Sequence, residues 1–430
     1  MAVLTFPHIL LESTLRELRA RPDLVATGPL GLNRRGMRGE ELLVRTIRLA
    51  GEPELRSGSP GSEPRLELGF VPFSLRRPRL VEIAREPNSD PAPVCRVLLG
   101  IGRESGLFAG WWLAGEAAVP VTELAIPGPG MREVRGLLAP APDRGPARAP
   151  DGADPVRWSR LLGALGDAAL FERLRRLRVT VLGAGAAGSL LVEALARAGL
   201  RELTVVDPDR LELHNLPRMA LVREEHLGLP KVTALARATA GVFADLSLRP
   251  VCAELASAAG LAAVQTAAVV ACCVDNDARL PAALLAVAYH RPLLELGTGV
   301  FNAGFAGPDG SPLAERVLAA EVRLLLPGSG CAACAGLRGD LRAALGTRVP
   351  VPEPDWRRAR SGSFAHLNAL AVSVATGLLV DLVAGRVTTS VLARYDVDPT
   401  GLPVLRSRPI PRRPGCRLCA LAGRADDLLP

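Results

Sequence analysis

The chain has 430 residues and a formal net charge of +8 at pH 7; 48% of its residues are hydrophobic and only 3% are aromatic. This length predicts two domains with a substantial core, and the scarcity of aromatics and of long basic runs argues against nucleic-acid binding. The N-terminus lacks the apolar core of a signal peptide, and polar residues interrupt the most apolar stretch, 367–383. We therefore expect a cytoplasmic protein that has reduced thiols and no membrane span.

Residues 1–137 are predicted to form a separate α+β accessory domain. An amphipathic helix at 9–18 precedes five segments that are rich in β-branched residues and bounded by turn residues, which is typical of strands. A linker rich in Pro, Gly and Ala, 138–153, then separates this domain from the rest of the chain. The predicted strands cover 42–49, 66–71, 94–101, 107–113 and 119–126.

Residues 154–430 are predicted to form an α/β domain. Apolar strands alternate with helices along the first half of this region, which predicts a mostly parallel sheet covered on both faces. The strands are 179–183, 203–207, 246–252, 268–273 and 292–296, and the helices are 188–198, 230–240, 256–264 and 279–289. Later strands are expected at 300–304 and 321–325, and an apolar helix at 365–383.

A glycine-rich turn follows the first of these strands. Gly183 allows a tight turn, Gly185 lets the backbone approach a phosphate, and Gly188 lets the next helix lie close to the strand. The helix N-terminus offers free N–H groups and the positive end of its dipole to an anion. Asp207 ends the next strand, where an acidic residue binds ribose hydroxyls. The stretch predicts a Rossmann-like nucleotide site.

Further polar residues follow the second and fourth strands of this sheet. A dinucleotide-binding dehydrogenase has no need of them, whereas a triphosphate and its metal do, because Arg and Lys neutralise phosphate and carboxylates hold Mg²⁺. We therefore favour ATP over NAD. These residues are Asp209, Asn215, Arg218, Lys231, Asp275 and Asn276.

Taken in order, these motifs resemble the ThiF/MoeB family, the adenylating fold shared with ubiquitin-activating enzymes. The family pattern is a glycine-rich turn, Asp-x-Asp, Asn-Leu-x-Arg, Gly-x-Pro-Lys and an Asp-Asn pair, and all five occur within about 100 residues. Upstream, Arg157-Trp158-Ser159-Arg160 is similar to the family's Arg-Tyr-x-Arg-Gln helix. The resemblance covers roughly 155–420.

The resemblance implies ATP and Mg²⁺ as cofactors and a role for each matching residue. Asp207 would bind the ribose, Arg218 and Lys231 the triphosphate, and Asp275 the Mg²⁺ ion. Arg160 resembles an arginine finger that reaches into the partner subunit's site, which implies a homodimer. Two simpler interpretations stay open: Asp275 as a strand-end carboxylate and Arg160 as a solvated helix residue.

The implied reaction is adenylation of the C-terminal carboxylate of a ubiquitin-like protein, with release of pyrophosphate. It would be the first step of a bacterial ubiquitin-like conjugation pathway, with a conjugating-enzyme-like acceptor downstream. Three alternatives stay open. The same fold could activate a sulfur-carrier protein or a small peptide, carboxylate or amide, it could be a non-catalytic scaffold, or the chain could be an NAD enzyme.

Two Cys-x-x-Cys pairs supply four thiolates, the number that closes a structural zinc site. The pairs, Cys331 with Cys334 and Cys416 with Cys419, are about 80 residues apart, and this spacing alone also allows a redox pair or a site without metal. The family carries a structural Zn²⁺ at matching places, so the resemblance implies zinc here. Such a site would tie the C-terminal tail to the core of its domain.

Ubiquitin-activating enzymes normally carry a nucleophilic cysteine after the first Cys-x-x-Cys pair. No cysteine lies between Cys334 and Cys416, and Ser361 and Ser363 stand where that nucleophile is expected. Either the acyl-adenylate passes directly to an acceptor, which we favour, or a serine forms an oxyester. The other cysteines of this domain are expected to pack in the sheet: Cys252, Cys272 and Cys273.

The N-terminal strands resemble the JAB-like isopeptidase domains that are fused to some bacterial relatives of this family. Those enzymes use a His-x-His and Asp zinc set with a Glu base, and His8 is the one histidine in this region. A zinc hydrolase site therefore cannot be built here. The resemblance implies an inactive copy kept for docking or dimerisation, and an unrelated α+β domain is the alternative.

Overall fold

The computed structural model describes most of the chain and divides it into two compact units. The first unit comprises Met1–Ala153, Val287–His290 and Cys419–Pro430, and the second comprises Asp154–Ala286 and Arg291–Leu418. The residues described are 2–21, 25–36, 39–50, 65–71, 96–102, 108–114, 117–135, 155–274, 276–306, 312–337, 363–397 and 402–428.

The first unit contains nine strands and one long helix among its described residues. Strand β1 pairs with both β3 and β8, so the path β1-β3-β2-β5-β6-β7-β8 closes on itself, while β4 adds to β2 and β9 to β8. The elements are β1 (Ala2–Thr5), α1 (His8–Ala20), β2 (Val25–Gly36), β3 (Gly39–Val44), β4 (Arg48–Ala50), β5 (Arg65–Val71), β6 (Arg96–Gly102), β7 (Phe108–Ala114), β8 (Ala117–Ile126) and β9 (Arg132–Arg135).

The core of this unit is formed by side chains of the strands together with Leu11 and Leu18 of α1. Phe6, Leu30, Leu42 and Phe108 are among its fully buried side chains. Strand β2 was not predicted because it contains Gly28, Pro29 and Gly31, which are typical of turns. The structure explains the glycine at position 28, since an added Cβ would lie 1.8 Å from the carbonyl oxygen of Thr46. The predicted strand 42–49 is divided between β3 and β4.

A C-terminal segment belongs to the first unit, although the sequence-based boundary at 154 groups it with the second domain. The Asp426 carboxylate accepts a hydrogen bond from the Tyr289 hydroxyl (2.7 Å) and another from the Arg34 amide (2.9 Å). The Gly423 amide donates to the Val287 carbonyl oxygen (3.2 Å). Residues far apart in sequence therefore complete one unit.

The second unit is a Rossmann-like α/β domain, as predicted. Its sheet has the order β12-β11-β10-β13-β14-β15-β16-β17; the strands from β12 to β14 are parallel, and β15, β16 and β17 extend the sheet in antiparallel fashion. The elements are α2 (Pro155–Leu165), α3 (Ala168–Arg176), β10 (Arg178–Leu182), α4 (Ala186–Arg197), β11 (Glu202–Val206), α5 (Lys231–Ala240), β12 (Ser247–Val251), α6 (Ala258–Gln265), β13 (Val269–Cys272), α7 (Asn276–Ala288), β14 (Leu293–Ala306), β15 (Pro312–Leu325), α8 (Ala365–Ala384), β16 (Val391–Val397) and β17 (Pro403–Pro409).

Helix α8 is, by length and composition alone, long and apolar enough to cross a membrane. The 20-residue helix is longer than the apolar stretch 367–383 considered in the sequence. Within the second unit, however, α8 packs against α4, β14 and β15. It buries Leu367, Ala371, Ala375 and Leu379 there, as a core helix does. No other helix in the described part of the chain is both long and apolar enough to span a membrane.

Candidate functional site

The glycine turn between β10 and α4 forms the floor of the candidate site. Gly183 has a φ of +92°, and an added Cβ would lie 2.9 Å from the Cys273 carbonyl oxygen. At Gly188 an added Cβ would lie 1.9 Å from the Gly183 carbonyl oxygen, so α4 starts directly against the turn. A Cβ at Gly185 meets nothing within 4 Å, which leaves open space above this residue.

The amides at the start of α4 are available to a ligand. Among the described residues, the backbone N–H groups of 185–188 have no acceptor, and the first amide of the helix that is satisfied is that of Ser189, which donates to the Gly185 carbonyl oxygen (2.9 Å). Free amides at the N-terminus of a twelve-residue helix suit a phosphate group.

Asp207 joins the glycine turn to the segment after β11. Its two carboxylate oxygens accept hydrogen bonds from the amides of Ala184 (2.7 Å) and Asp209 (2.8 Å). Burial raises the pKa of Asp207 above its ordinary value, while the Lys231 charge and the two amides act in the opposite direction. A carboxylate held in this way has lone pairs left for ribose hydroxyls.

Lys231 opens α5 beside Asp207. Its Nζ lies 2.7 Å from the Asp209 Oδ2, and its amide donates to the Asp209 carbonyl oxygen (2.8 Å). The Lys231 side chain is only 12% exposed. The structure therefore brings together Asp207, Asp209, Lys231 and the glycine turn.

The segment between Asp209 and Lys231 carries Asn215 and Arg218. Asn215 is buried, and its Oδ1 accepts a hydrogen bond from the Glu212 amide (2.9 Å), so its side chain supports a turn of this segment. Arg218 is half-buried, and among the described residues its guanidinium has no hydrogen-bond or ion-pair partner. Of these two residues, the structure leaves Arg218 available to a ligand.

Asp275, the predicted Mg²⁺ ligand, lies outside the described residues, as does the side chain of Asn276. Their surroundings are described. Arg279, in the second turn of α7, donates to the carbonyl oxygens of Val274 (3.2 Å) and Leu296 (3.2 Å), and it pairs with the Glu295 Oε1 (3.4 Å). Local sequence patterns do not predict this arrangement, because Glu295 and Arg279 belong to different elements.

Arg160 lies exposed on α2, and among the described residues it has no side-chain partner. The helix is anchored by Trp158, which is 8% exposed and packs against Phe171, with ring centroids 5.5 Å apart. Arg157 adds an ion pair with Asp245 (3.7 Å). The position suits either a solvated arginine or one that acts on another subunit.

Of the two candidate serine nucleophiles, Ser361 lies outside the described residues. Ser363 is exposed, and its Oγ accepts a hydrogen bond from the Asn368 Nδ2 (3.0 Å). The Asn368 Oδ1 in turn accepts from the Thr298 hydroxyl (2.7 Å). An amide that donates to the hydroxyl oxygen cannot remove its proton, so this arrangement provides no general base for Ser363.

The four cysteines of the Cys-x-x-Cys pairs converge. Their sulfur atoms lie within 4.8 Å of one another, with 3.7 Å between Cys331 and Cys334 and 3.6 Å between Cys331 and Cys416. In a tetrahedral site with Zn–S bonds of about 2.3 Å, neighbouring sulfurs are about 3.8 Å apart. The donor set, completed by Cys419, therefore fits Zn²⁺.

The remaining cysteines differ in exposure. Cys272 is fully buried, and burial raises the pKa of its thiol to about 12; burial also raises the pKa of Cys273 strongly. Both therefore stay protonated thiols near neutral pH. The prediction that Cys252 packs in the sheet was wrong: it is exposed, with its Sγ 3.8 Å from the Pro208 carbonyl oxygen, because it follows the end of the edge strand β12.

The profile of the ThiF family matches residues 158–398, more than half of the chain. The chain belongs to the ThiF family. Curated relatives include human ubiquitin-like modifier-activating enzyme 7, 36% identical over 155 residues, and the molybdopterin-synthase adenylyltransferase of Salmonella typhimurium, 33% identical over 105 residues. These alignments cover 33% and 24% of this ThiF-family chain.

The ThiF-family chain aligns with 15% of the human protein's length and 42% of the Salmonella protein's length. Among solved structures, E. coli MccB with ATP is similar, with 19% identity and a TM-score of 0.47, over 61% of this chain and 74% of that one. The predicted membership of the family is confirmed by the profile match.

Proposed function

We propose that this protein is an ATP-dependent adenylyltransferase that activates the C-terminal carboxylate of a ubiquitin-like protein in the cytoplasm. The observation that carries the proposal is the grouping of Asp207, Lys231 and the free amides of 185–188 around the glycine turn, in a chain of the ThiF family. Relatives named as activating enzymes of ubiquitin-like modifiers support the substrate class.

In this proposal the nucleotide lies along the carboxyl edge of the parallel strands. Asp207 accepts hydrogen bonds from the ribose hydroxyls, and the amides of 185–188 with Lys231 and Arg218 neutralise the triphosphate. Asp275, which lies outside the described residues, and Asn276 would hold Mg²⁺, which would draw charge from the phosphates and from the leaving pyrophosphate. Asp209 sets the position of Lys231.

The reaction needs positioning more than proton transfer. A carboxylate oxygen of the carrier protein bonds to the α-phosphorus, and the bond from that phosphorus to the bridging oxygen breaks, so its electron pair leaves with pyrophosphate. Both reactants are anions, and the cations of the site lower their repulsion. Arg160, exposed on α2, would add a further cation from the second subunit of a homodimer. The N-terminal unit would serve docking or dimerisation.

The tetracysteine cluster would hold a structural Zn²⁺ ion. Four protein ligands leave no open position, so this metal would join the turn 331–334 to the turn 416–419 and take no part in the reaction. Among the described residues, the partner of the Ser363 hydroxyl is the Asn368 amide and not a base, which favours direct transfer from the acyl-adenylate over an oxyester. A hydroxylamine-labile, reductant-resistant adduct that disappears when Ser361 and Ser363 are both changed to Ala would overturn that preference.

The test is ATP–pyrophosphate exchange in the presence of candidate ubiquitin-fold carriers. We expect exchange with a carrier that has a free C-terminal carboxylate and none with the same carrier amidated at its C-terminus. Lys231→Met and Asp275→Ala should abolish exchange, while Ser373→Ala, an exposed position on α8, should keep it. Unchanged exchange in Asp275→Ala would overturn the proposed site, and exchange with short peptides alone would favour the peptide-activating alternative.

A further inference from the structure

Ser189 is completely buried in the first turn of α4, and its hydroxyl makes two hydrogen bonds. It donates to the Ala186 carbonyl oxygen (3.1 Å) and accepts from the Ala220 amide (2.9 Å). Since Ala220 lies two residues after Arg218, the serine joins the glycine-turn helix to the segment that carries this arginine.

The backbone around Arg218 is fixed on both sides. The amides of Arg218 (3.1 Å) and Met219 (3.0 Å) both donate to the Asn215 carbonyl oxygen. The Val222 amide then donates to the Ala220 carbonyl oxygen (2.8 Å), which closes a three-residue turn around Leu221. Leu221 has a φ of +67°, and a γ-turn with a positive φ at a branched residue is strained.

The hydrogen bond from the Ala220 amide to the Ser189 hydroxyl joins α4 to the segment 213–222. Among the described residues, no other hydrogen bond joins 213–222 to α4. Alanine at 189 would leave the Ala220 amide without its acceptor, and threonine would add a methyl group at a position that is fully buried. Serine is the small side chain that donates and accepts here at once.

We propose that Ser189, together with the strained turn at Leu221, is a positioning device that holds Arg218 against the glycine turn, so that its guanidinium meets the outer phosphates of ATP. This inference rests on the proposed function. It assigns Ser189 no contact with the nucleotide: the serine acts through Arg218. Strain at Leu221 is of the kind that persists at functional sites when the surrounding contacts hold it in place.

The test is a double-mutant cycle on nucleotide affinity, measured by calorimetry with MgATP and with AMP. Losing one hydrogen bond of this kind changes affinity by about threefold to tenfold, and we expect Ser189→Ala to weaken MgATP binding by that factor with AMP binding unchanged. Arg218→Ala should weaken MgATP binding more, and adding Ser189→Ala to it should change nothing further. The matched control is Ser373→Ala, whose exposed hydroxyl donates to the Ala369 carbonyl oxygen (2.9 Å).

Additive losses in the double variant, or an equal loss of AMP affinity, would overturn the positioning role while leaving the proposed function intact. An Arg218→Ala variant with normal MgATP affinity would overturn both. Because Ser189→Ala could disturb folding, Leu221→Gly provides a second route. Relief of the positive φ should leave the melting temperature unchanged or higher, while MgATP affinity falls; unchanged affinity there contradicts the inference.

Discussion

The ammonium group of Lys231 lies 2.7 Å from the carboxylate of Asp209, and the backbones of the same two residues are hydrogen-bonded as well. The pair therefore holds the lysine in place before any nucleotide arrives. A phosphate that binds here must either share the Lys231 ammonium group with Asp209 or replace Asp209 as its partner. Asp209 therefore orders the lysine side chain but also weakens its attraction for phosphate.

Asp209→Asn should tighten MgATP binding at low ionic strength, because a negative charge beside the triphosphate is removed. The gain should shrink as salt is added, since screening weakens interactions between charges near the surface. Calorimetric titration at several salt concentrations measures both effects, with Lys231→Met as the variant expected to bind weakly throughout. If Asp209→Asn instead bound MgATP more weakly at every salt concentration, the ordering of Lys231 by Asp209 would matter more for binding than the repulsion between Asp209 and the triphosphate.

The buried carboxyl of Asp207 should give the domain a specific pH dependence. Its pKa is raised in the folded protein above the ordinary value of 3.8, so the folded state holds this proton more tightly than the unfolded chain does. Its contribution to stability is therefore present below the ordinary pKa and is lost as pH rises through the raised pKa. The free energy of unfolding of the wild type minus that of Asp207→Asn should therefore fall with rising pH. Urea titrations of both proteins at several pH values measure this difference. A difference that stays constant or rises with pH would contradict the prediction.

Arg279 should be important for the stability of the second unit. Arg279→Met leaves the carbonyl oxygens of Val274 and Leu296 without this donor and removes one partner of the buried Glu295, which should cost about 2 kcal/mol or more. Urea unfolding measures the loss. The matched control is Arg386→Met, which breaks an exposed pair with Asp381 (2.7 Å) and should cost less than about 1 kcal/mol. Equal losses of unfolding free energy in the two variants would show that the contacts of Arg279 do not stabilise the fold more than an exposed ion pair does.

The tetracysteine cluster should make folding metal-dependent. We expect about one zinc per chain by elemental analysis, and Cys416→Ser should bind less zinc and melt at a lower temperature, because a lost ligand opens the tetrahedral shell. Cys252→Ser changes an exposed cysteine outside the cluster and should match the wild type in both measurements. Zinc content unchanged by Cys416→Ser would rule out the proposed ligand set.

The parallel strands and the nucleotide turn were predictable because their signals are local. An apolar run such as 268–273 indicates a central strand. Gly183 and Gly188 indicate a tight turn in which a residue with a side chain would not fit. Strand β2 gave the opposite local signal, since its glycines serve backbone contacts with residues distant in sequence.

Only those residues of the site that belong to sequence motifs were predictable. Asp207 could be placed at the carboxyl edge of the sheet because it follows a parallel strand, whereas Lys231 opens a helix and was grouped with Asp207 through the Gly-x-Pro-Lys motif. The contacts of Ser189 with Ala220 and of Arg279 with Glu295 join separate elements, so only the three-dimensional arrangement reveals them. The exposure of Cys252 likewise depends on β12 being an edge strand, which sequence order does not disclose.

The hydrogen bonds of Asp426 with Arg34 and Tyr289 have a consequence for biosynthesis. Domains generally fold in the order in which they leave the ribosome. The first unit breaks that order, because residues 419–428 emerge after the whole second unit has been made. Its N-terminal strands must therefore wait until residues 419–428 have been made before they acquire these partners, and until then the unit is incomplete and exposed to the aggregation that partly folded chains undergo.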